Sequence, residues 1–319
     1  MKLWKILVSA LIAGTAAAAI AAQEQKAVTV GTGGTAGVYY PLGGGMAKVL
    51  TDKVGLQTTA EVTGGSVDNL KFIGAGKMDV GMTMADSAWD AYNGDGKFKD
   101  SKVDARALFA IYPNHMQVVT VEGTGINTLA DLKGKRISTG SPGSGTEVMA
   151  FRVLEAVGID KDKDITRERL SLAESVNAMK DKKIDAFFWV SGLPAAGVTD
   201  LGTTPGTKLK LIDHAQAVDA INKKYGPLYA KGTIPANTYP GQSKPVANIT
   251  VWNLLVVDAK MSTDLAYKIT KALFENQPEL VNVHKEALNI QAKSQGPSSP
   301  IPYHPGAKKY LKEKGVIVK

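Results

Sequence analysis

The 319-residue chain has no cysteine. Disulfides, thiol nucleophiles, thiolate metal sites and lipid attachment through a cysteine are therefore excluded. Histidine is almost as scarce. His115, His214, His284 and His304 stand apart, with no H-E-x-x-H pair to hold a metal on one helix face. There are five arginines, and only Arg136 lies beside a loop of interest, so bidentate arginine clamps have few candidates. Aromatic residues make up 7%, and no basic stripe interleaves with them as a nucleic-acid surface requires. Beyond residue 22 no apolar run is long enough to cross a bilayer.

What is present is globular in composition, with 44% hydrophobic and 21% charged residues and a net charge of +8. The lysines alternate with acids, as in KDKDITRER, which marks solvated helix faces. Residues 1–22 are set apart. Lys2 and Lys5 form a basic start, Ile6 to Ile20 an Ala-rich apolar stretch, and Ala19-Ile20-Ala21 a small-residue cleavage site. This pattern predicts a cleaved export signal. Its removal takes away two lysines and no acid, leaving +6. The expected mature protein is periplasmic, with a core large enough to do without disulfides.

From residue 26 onward, short β-rich runs alternate with helical patterns. The first set places strands at 27–32, 57–63 and 78–84, with helices at 41–53, 66–76 and 86–94. A second set places strands at 135–140, 165–172 and 184–190, helices at 146–158 and 173–183, and a helix opening from the loop 191–198. Such alternation predicts parallel sheets with crossover helices. Two long β-rich segments, 108–123 and 246–258, suit strands crossing between two lobes. The expected division is a signal at 1–22, a first lobe of 23–116 plus 247–319, and a second lobe of 117–246. Helices are expected at 263–276 and 278–292, then a Pro/Gly/Ser-rich surface wrap and a last short helix.

Gly31-Thr32-Gly33-Gly34-Thr35-Ala36 is a literal G-x-G-x-x-A after a strand. A dinucleotide fold starts its helix near the second glycine. Pro41 opposes that, because it would fall inside such a helix at a cost of about 3 kcal/mol. The helix should instead begin near Tyr40, leaving an extended loop. Gly33, Gly34 and Gly37 can adopt positive φ, so their N–H groups and that of Thr35 could converge on an anion as a nest. Tyr39 would add a flat wall and a hydroxyl. Glu61, at the end of the next strand, keeps the dinucleotide reading open.

A matching element follows strand 135–140. Ser141, Gly143, Ser144, Gly145 and Thr146 precede a helix that Ser144 or Thr146 can cap, with Glu147 in its first turn. A helix start of this kind is an anion site, and the P-loop pattern GxxxxGK[ST] is absent. Ser66 and Asn69, Asp86 and Ser87, and Trp189, Ser191 and Gly192 also follow strands. All should ring one space at the carboxyl ends of the strands. Met82 and Met84 are expected in the core. No G-x-S-x-G elbow is present, and Asp86 alone is no catalytic mechanism. The reading is a non-enzymatic receptor for a small organic anion. An exported enzyme using Asp86, or a ligand carrier for a membrane sensor, stays open.

Six stretches together strongly resemble the TAXI family, the solute receptors of one branch of TRAP transporters. They are VGTGGTAGVYYPLGGGMAKVL, TGGSVDNL, MDVGMTMADSAWDAY, LADLKGKRISTGSPGSGTEVMAFRVLEAVG, KIDAFFWVSGLPAAGV and IPANTYPGQ, in order over nearly all of residues 28–243. The resemblance implies an α/β periplasmic binding protein of two lobes, each a parallel-rich sheet flanked by helices, joined by a hinge. It implies closure on an amino or oxo dicarboxylate such as glutamate or 2-oxoglutarate; a monomer with no cofactor and no metal-ligating residues is expected, and whether a metal or sodium ion joins the ligand stays open. It also implies delivery to integral membrane TRAP permease subunits. Its ligand contacts would fall on the glycine loop with Tyr39, on Ser66, Asp86 and Ser87, on Ser141 to Thr146, and on Trp189 to Gly192. Asn114 stands where many members carry an acid.

Overall fold

The computed structural model describes residues 27–318, so the expected export signal lies outside the described residues. Three strands, β1 (Ala27–Gly31), β2 (Gln57–Glu61) and β3 (Val80–Met84), pair in parallel in the order β2-β1-β3. Helices α1 (Tyr39–Val54) and α2 (Ser66–Gly74) cross over between them, and α3 (Ala85–Asn93) leaves β3 directly. The second lobe repeats this plan. Strands β5 (Arg136–Ser138), β6 (Thr166–Glu168) and β7 (Ala186–Ser191) pair in parallel in the order β7-β5-β6. Helices α4 (Gly145–Ala156) and α5 (Leu172–Lys180) are its crossovers, and α6 (Ala196–Thr203) follows β7.

Two long strands join the lobes into one sheet. β4 (Ala105–Val121) runs antiparallel to β10 (Val246–Asp258) from Ala105 to His115, then antiparallel to β7 from His115 to Thr120. His115 is thus the point where the chain passes from one lobe to the other. β10 pairs with β9 (Ala230–Ile234) at its start and with β3 at its end, and the short β8 (Leu209–Leu211) pairs with β4. Residue 116 lies within β4 and residue 246 opens β10.

β3 is buried at every position, as a strand covered on both faces must be. One apolar cluster gathers Val28, Met46, Leu50, Val80 and Leu255 in the first lobe. Another gathers Val119, Phe187, Leu201 and Tyr239 in the second. A third joins residues of both, from Leu70 and Phe98 to Ile137 and Val153. The remaining helices are α7 (Val218–Tyr225), α8 (Thr263–Glu275), α9 (Gln277–Val283) and α10 (Pro305–Glu313). Among the described residues no helix is long and apolar enough to cross a membrane.

Three local expectations change. The strand expected over 165–172 stops at Glu168, because Ser171 and Glu174 form a reciprocal capping box that starts α5 at Leu172. The helix expected over 278–292 breaks at His284, whose backbone is extended, and resumes as a tight 3₁₀ turn at Lys285–Asn289. The tail is no simple surface wrap, since Ile301, Tyr303 and His304 are buried and Tyr303 bridges to Ala107 of β4.

Candidate functional site

The loop after β1 is held from behind. A Cβ at Gly31 would lie 2.0 Å from Met78 Sδ and 2.6 Å from Asn69 Oδ1, so a larger residue there would have to displace both side chains. Thr32 donates through N–H (3.0 Å) and Oγ1 (2.6 Å) to the Glu61 carbonyl at the end of β2. Asn69 Nδ2 donates to the carbonyls of Thr32 and Met82, both at 2.8 Å, and its Oδ1 accepts from Thr63 Oγ1 at 2.7 Å. α1 begins at Tyr39, which puts Pro41 in its first turn, where proline is tolerated. The dinucleotide geometry is thereby absent. The glycine nest is absent too, because none of Gly33, Gly34 and Gly37 adopts positive φ. Gly37 serves a close approach instead: a Cβ there would lie 2.9 Å from Trp189 Cζ2, across the gap between the lobes.

The second loop is built differently. Gly140 and Gly143 do adopt positive φ, +97° and +76°, which favours glycine. Ser144 Oγ accepts from Glu147 N–H at 3.0 Å and so caps α4. The Gly143 carbonyl accepts from Val67 N–H and Asp68 N–H, both at 3.1 Å, so this loop of the second lobe sits on the first turn of α2 in the first lobe.

Between the two loops lies a cavity of about 320 Å³. Of the residues expected from sequence, Gly33, Gly34, Thr35 and Tyr39 line it from the first loop. Ser141, Ser144, Gly145 and Thr146 line it from the second, with Ser66, Trp189 and Ser191 completing the ring. The structure does not bring Asn69, Gly143, Asp86, Ser87 or Gly192 to the wall. Asn69 and Gly143 brace the loops as described. Gly192 is pressed against Glu286, whose Oε1 accepts from Leu193 N–H at 2.8 Å.

Asp86 and Ser87 are fully buried, and Asp86 belongs to a cluster of charges behind the cavity. Tyr229 OH donates to Asp86 Oδ2 (2.7 Å) and accepts from Arg152 Nη1 (2.7 Å). Arg152 Nη2 donates to Asp90 Oδ2 (2.5 Å). The cluster ties α3 of the first lobe to α4 and Tyr229 of the second. Burial, reinforced by the Asp86 charge, holds the Tyr229 hydroxyl far above its ordinary pKa, so it stays a donor. Burial also raises the Asp90 carboxyl, with the Arg152 hydrogen bond opposing it.

Sequence reasoning missed several wall residues. Met84, expected in the core, also faces the cavity. Ser171, Leu172 and Ala173 line it because α5 starts there, and the S-x-x-E spacing of Ser171 and Glu174 was the available signal. Asn114, which the TAXI resemblance marks as a position where many members carry an acid, lines it from β4 at 1% exposure. Four helices therefore bring their first residues to one wall: α1 at Tyr39, α2 at Ser66, α4 at Gly145 and Thr146, and α5 at Leu172 and Ala173. Their leading N–H groups have no partner within the helix, and each helix carries partial positive charge at that end. Among the described residues no Asp, Glu, Lys, Arg or His lines the cavity. Tyr39 OH donates to Asn253 Oδ1, and burial, with the Asp86 charge, keeps that hydroxyl protonated well above its usual range. Among the described residues no group of three or more His, Asp or Glu is placed to hold a metal ion.

Two α/β lobes, joined by crossing strands and closed over a cavity at the carboxyl ends of their parallel strands, make this the fold of a periplasmic binding protein. The chain belongs to the NMT1-like family, whose model matches residues 30–315. Solved structures similar in fold include a protein from Bordetella bronchiseptica RB50, with 20% identity, 91% of this chain and 89% of that chain covered, and a TM-score of 0.55. The binding-protein component of an ABC phosphonate transporter from Pseudomonas aeruginosa matches at 12% identity, 82% and 79% coverage and a TM-score of 0.54. The alkanesulfonate-binding protein SsuA from Xanthomonas axonopodis pv. citri, bound to MOPS, matches at 17% identity, 92% coverage of each chain and a TM-score of 0.50.

Proposed function

We propose that this protein is an extracytoplasmic solute receptor that binds a small organic anion between its lobes and presents the closed form to a membrane permease. The observation that carries this reading is the convergence of four helix starts on a cavity lined by no charged side chain. Each helix end contributes about 0.3–2 kcal/mol to an anion, and each hydrogen bond to a charged group about 1.5–3 kcal/mol. Together they reach the roughly 8 kcal/mol of micromolar affinity without an arginine. Contacts are assigned to the leading N–H groups of α4 at Gly145 and Thr146 and of α5 at Leu172 and Ala173, the Thr146 hydroxyl, the Tyr39 ring and the Trp189 indole, because the Val67 and Asp68 N–H groups of α2 already donate to the Gly143 carbonyl. Closure on the ligand is the signal a permease reads.

The basic and apolar stretch at residues 1–22 supports export to the periplasm. The TAXI resemblance supports an ion-driven TRAP permease and a dicarboxylate, whereas by their names one structural neighbour is a component of an ABC phosphonate transporter and another binds alkanesulfonate. Asp86, the carboxylate on which an enzyme reading rests, is bound to Tyr229 and stands off the wall. Isothermal titration of the purified chain against carboxylates, amino acids, sulfonates and phosphonates tests the proposal. One class should bind at 1:1 without turnover. Silence across every organic anion, or conversion of the bound one, contradicts it.

A further inference from the structure

The receptor reading leaves the ligand class open, and two unsatisfied atoms on residues of the cavity wall narrow it. Asn114 Oδ1 and Trp189 Nε1 are buried without a hydrogen-bond partner, and both residues line the cavity. One is an acceptor and the other a donor. The Asn114 orientation follows from its surroundings. Asn253 Nδ2 donates to the Tyr112 carbonyl at 3.3 Å, which turns Asn253 Oδ1 toward Tyr39 OH and Asn114. Asn114 Nδ2 donates to that oxygen at 2.7 Å. Its own oxygen is left over, at the point where β4 passes from one lobe to the other. Native proteins rarely leave a buried amide oxygen unpaired, and in a binding cavity the missing partner belongs to the ligand.

That partner must be a donor, and the rest of the wall restricts what kind. An ammonium group would enter a space faced by four positive helix ends with no carboxylate to balance it. A second carboxylate would be stripped of water with no cation opposite it, and its oxygens would leave Asn114 Oδ1 unpaired. A hydroxyl satisfies the acceptor and adds no charge. In the rest of the wall, Val38, Val62, Met84, Leu172 and Val190 form an apolar part beside Ser and Thr hydroxyls. Resting on the receptor reading, we infer that the ligand is a hydroxylated monocarboxylate with an apolar body. Its hydroxyl donates to Asn114 Oδ1. Its single carboxylate accepts from Trp189 Nε1–H and from first-turn N–H groups.

Calorimetric titration of the full chain tests this with matched probes. Lactate, 2-hydroxy-4-methylpentanoate and mandelate are compared with propionate, 4-methylpentanoate and phenylacetate, then with leucine, glutamate and 2-oxoglutarate. At least one hydroxy acid should bind at least about tenfold tighter than its deoxy partner. It should also bind tighter than leucine and both dicarboxylates. In Asn114→Leu the preference for a hydroxy acid over its deoxy partner should vanish. If that variant does not fold, the wild-type series alone decides. Tighter binding of a dicarboxylate, of leucine or of the deoxy acids overturns this inference and leaves the receptor reading standing. Failure of every anion, here and in the broader panel, overturns both.

Discussion

Two of the zones where the lobes meet differ in kind. Behind the cleft, Asp86, Asp90, Arg152 and Tyr229 put charges from both lobes into a buried cluster in which the carboxylates and the guanidinium are paired. In the cleft itself the wall has no charged side chain, and two of its polar atoms have no protein partner. The difference teaches how one interface does two jobs. Charge is used where protein meets protein permanently in this conformation, since a buried pair fixes orientation and tolerates no missing member. Neutral donors and helix ends are kept where a guest must come and go.

The comparison breaks most visibly at Arg152. Arg152→Met leaves Asp86 and Asp90 buried without their cation and should cost about 3–5 kcal/mol of stability, read from urea unfolding. A loss below 1 kcal/mol would mean that the cluster is not a structural unit. In the cleft, Trp189→Phe keeps the ring and removes the donor. It should weaken ligand binding by about 1.5–3 kcal/mol with little change in unfolding midpoint. Equal affinity in that variant would separate Trp189 from the ligand. Gly37→Val puts atoms against the Trp189 ring. Overpacking of about 1–3 kcal/mol should appear as weaker binding, in titration, more than as lost stability.

The smallest effect is one of pH. Burial holds all four histidines below their usual 6.5. Groups lowered in the fold give stability that is complete above the unfolded pKa and drains as pH falls toward the folded values. Unfolding free energy should therefore fall progressively below about pH 6.5. Ligand affinity should stay flat between about pH 6 and 8, because no group that titrates there lines the cavity. Affinity that follows the histidine titration would show that the two zones are not separate.

Much of this was legible in the sequence. Pro41 places the start of α1 to within a residue and weighs against the dinucleotide reading, which Glu61 keeps open, and residues 246–258 form β10 at the expected limits. Where the reading failed, it lacked direction more than composition. Asn69 and Asp86 do follow strands, but Asn69 lies one turn into α2 and turns back onto Thr32 and Met82, while Asp86 points to the other lobe's Tyr229. Spacing along one helix cannot reveal a partner 143 residues away. Asn114 sits mid-strand in β4, where only the crossing geometry turns it into a wall. The short β8 and β9, carrying lysines at Lys210 and Lys231, have no apolar run to announce them.

The central claim is that an uncharged wall between the lobes receives a single anion, and Trp189 reports on it directly. With Trp4, Trp89 and Trp252 replaced by Phe, the Trp189 emission should shift in a saturable way at one equivalent of a calorimetrically confirmed ligand. Binding by calorimetry with the Trp189 spectrum unmoved would contradict the account.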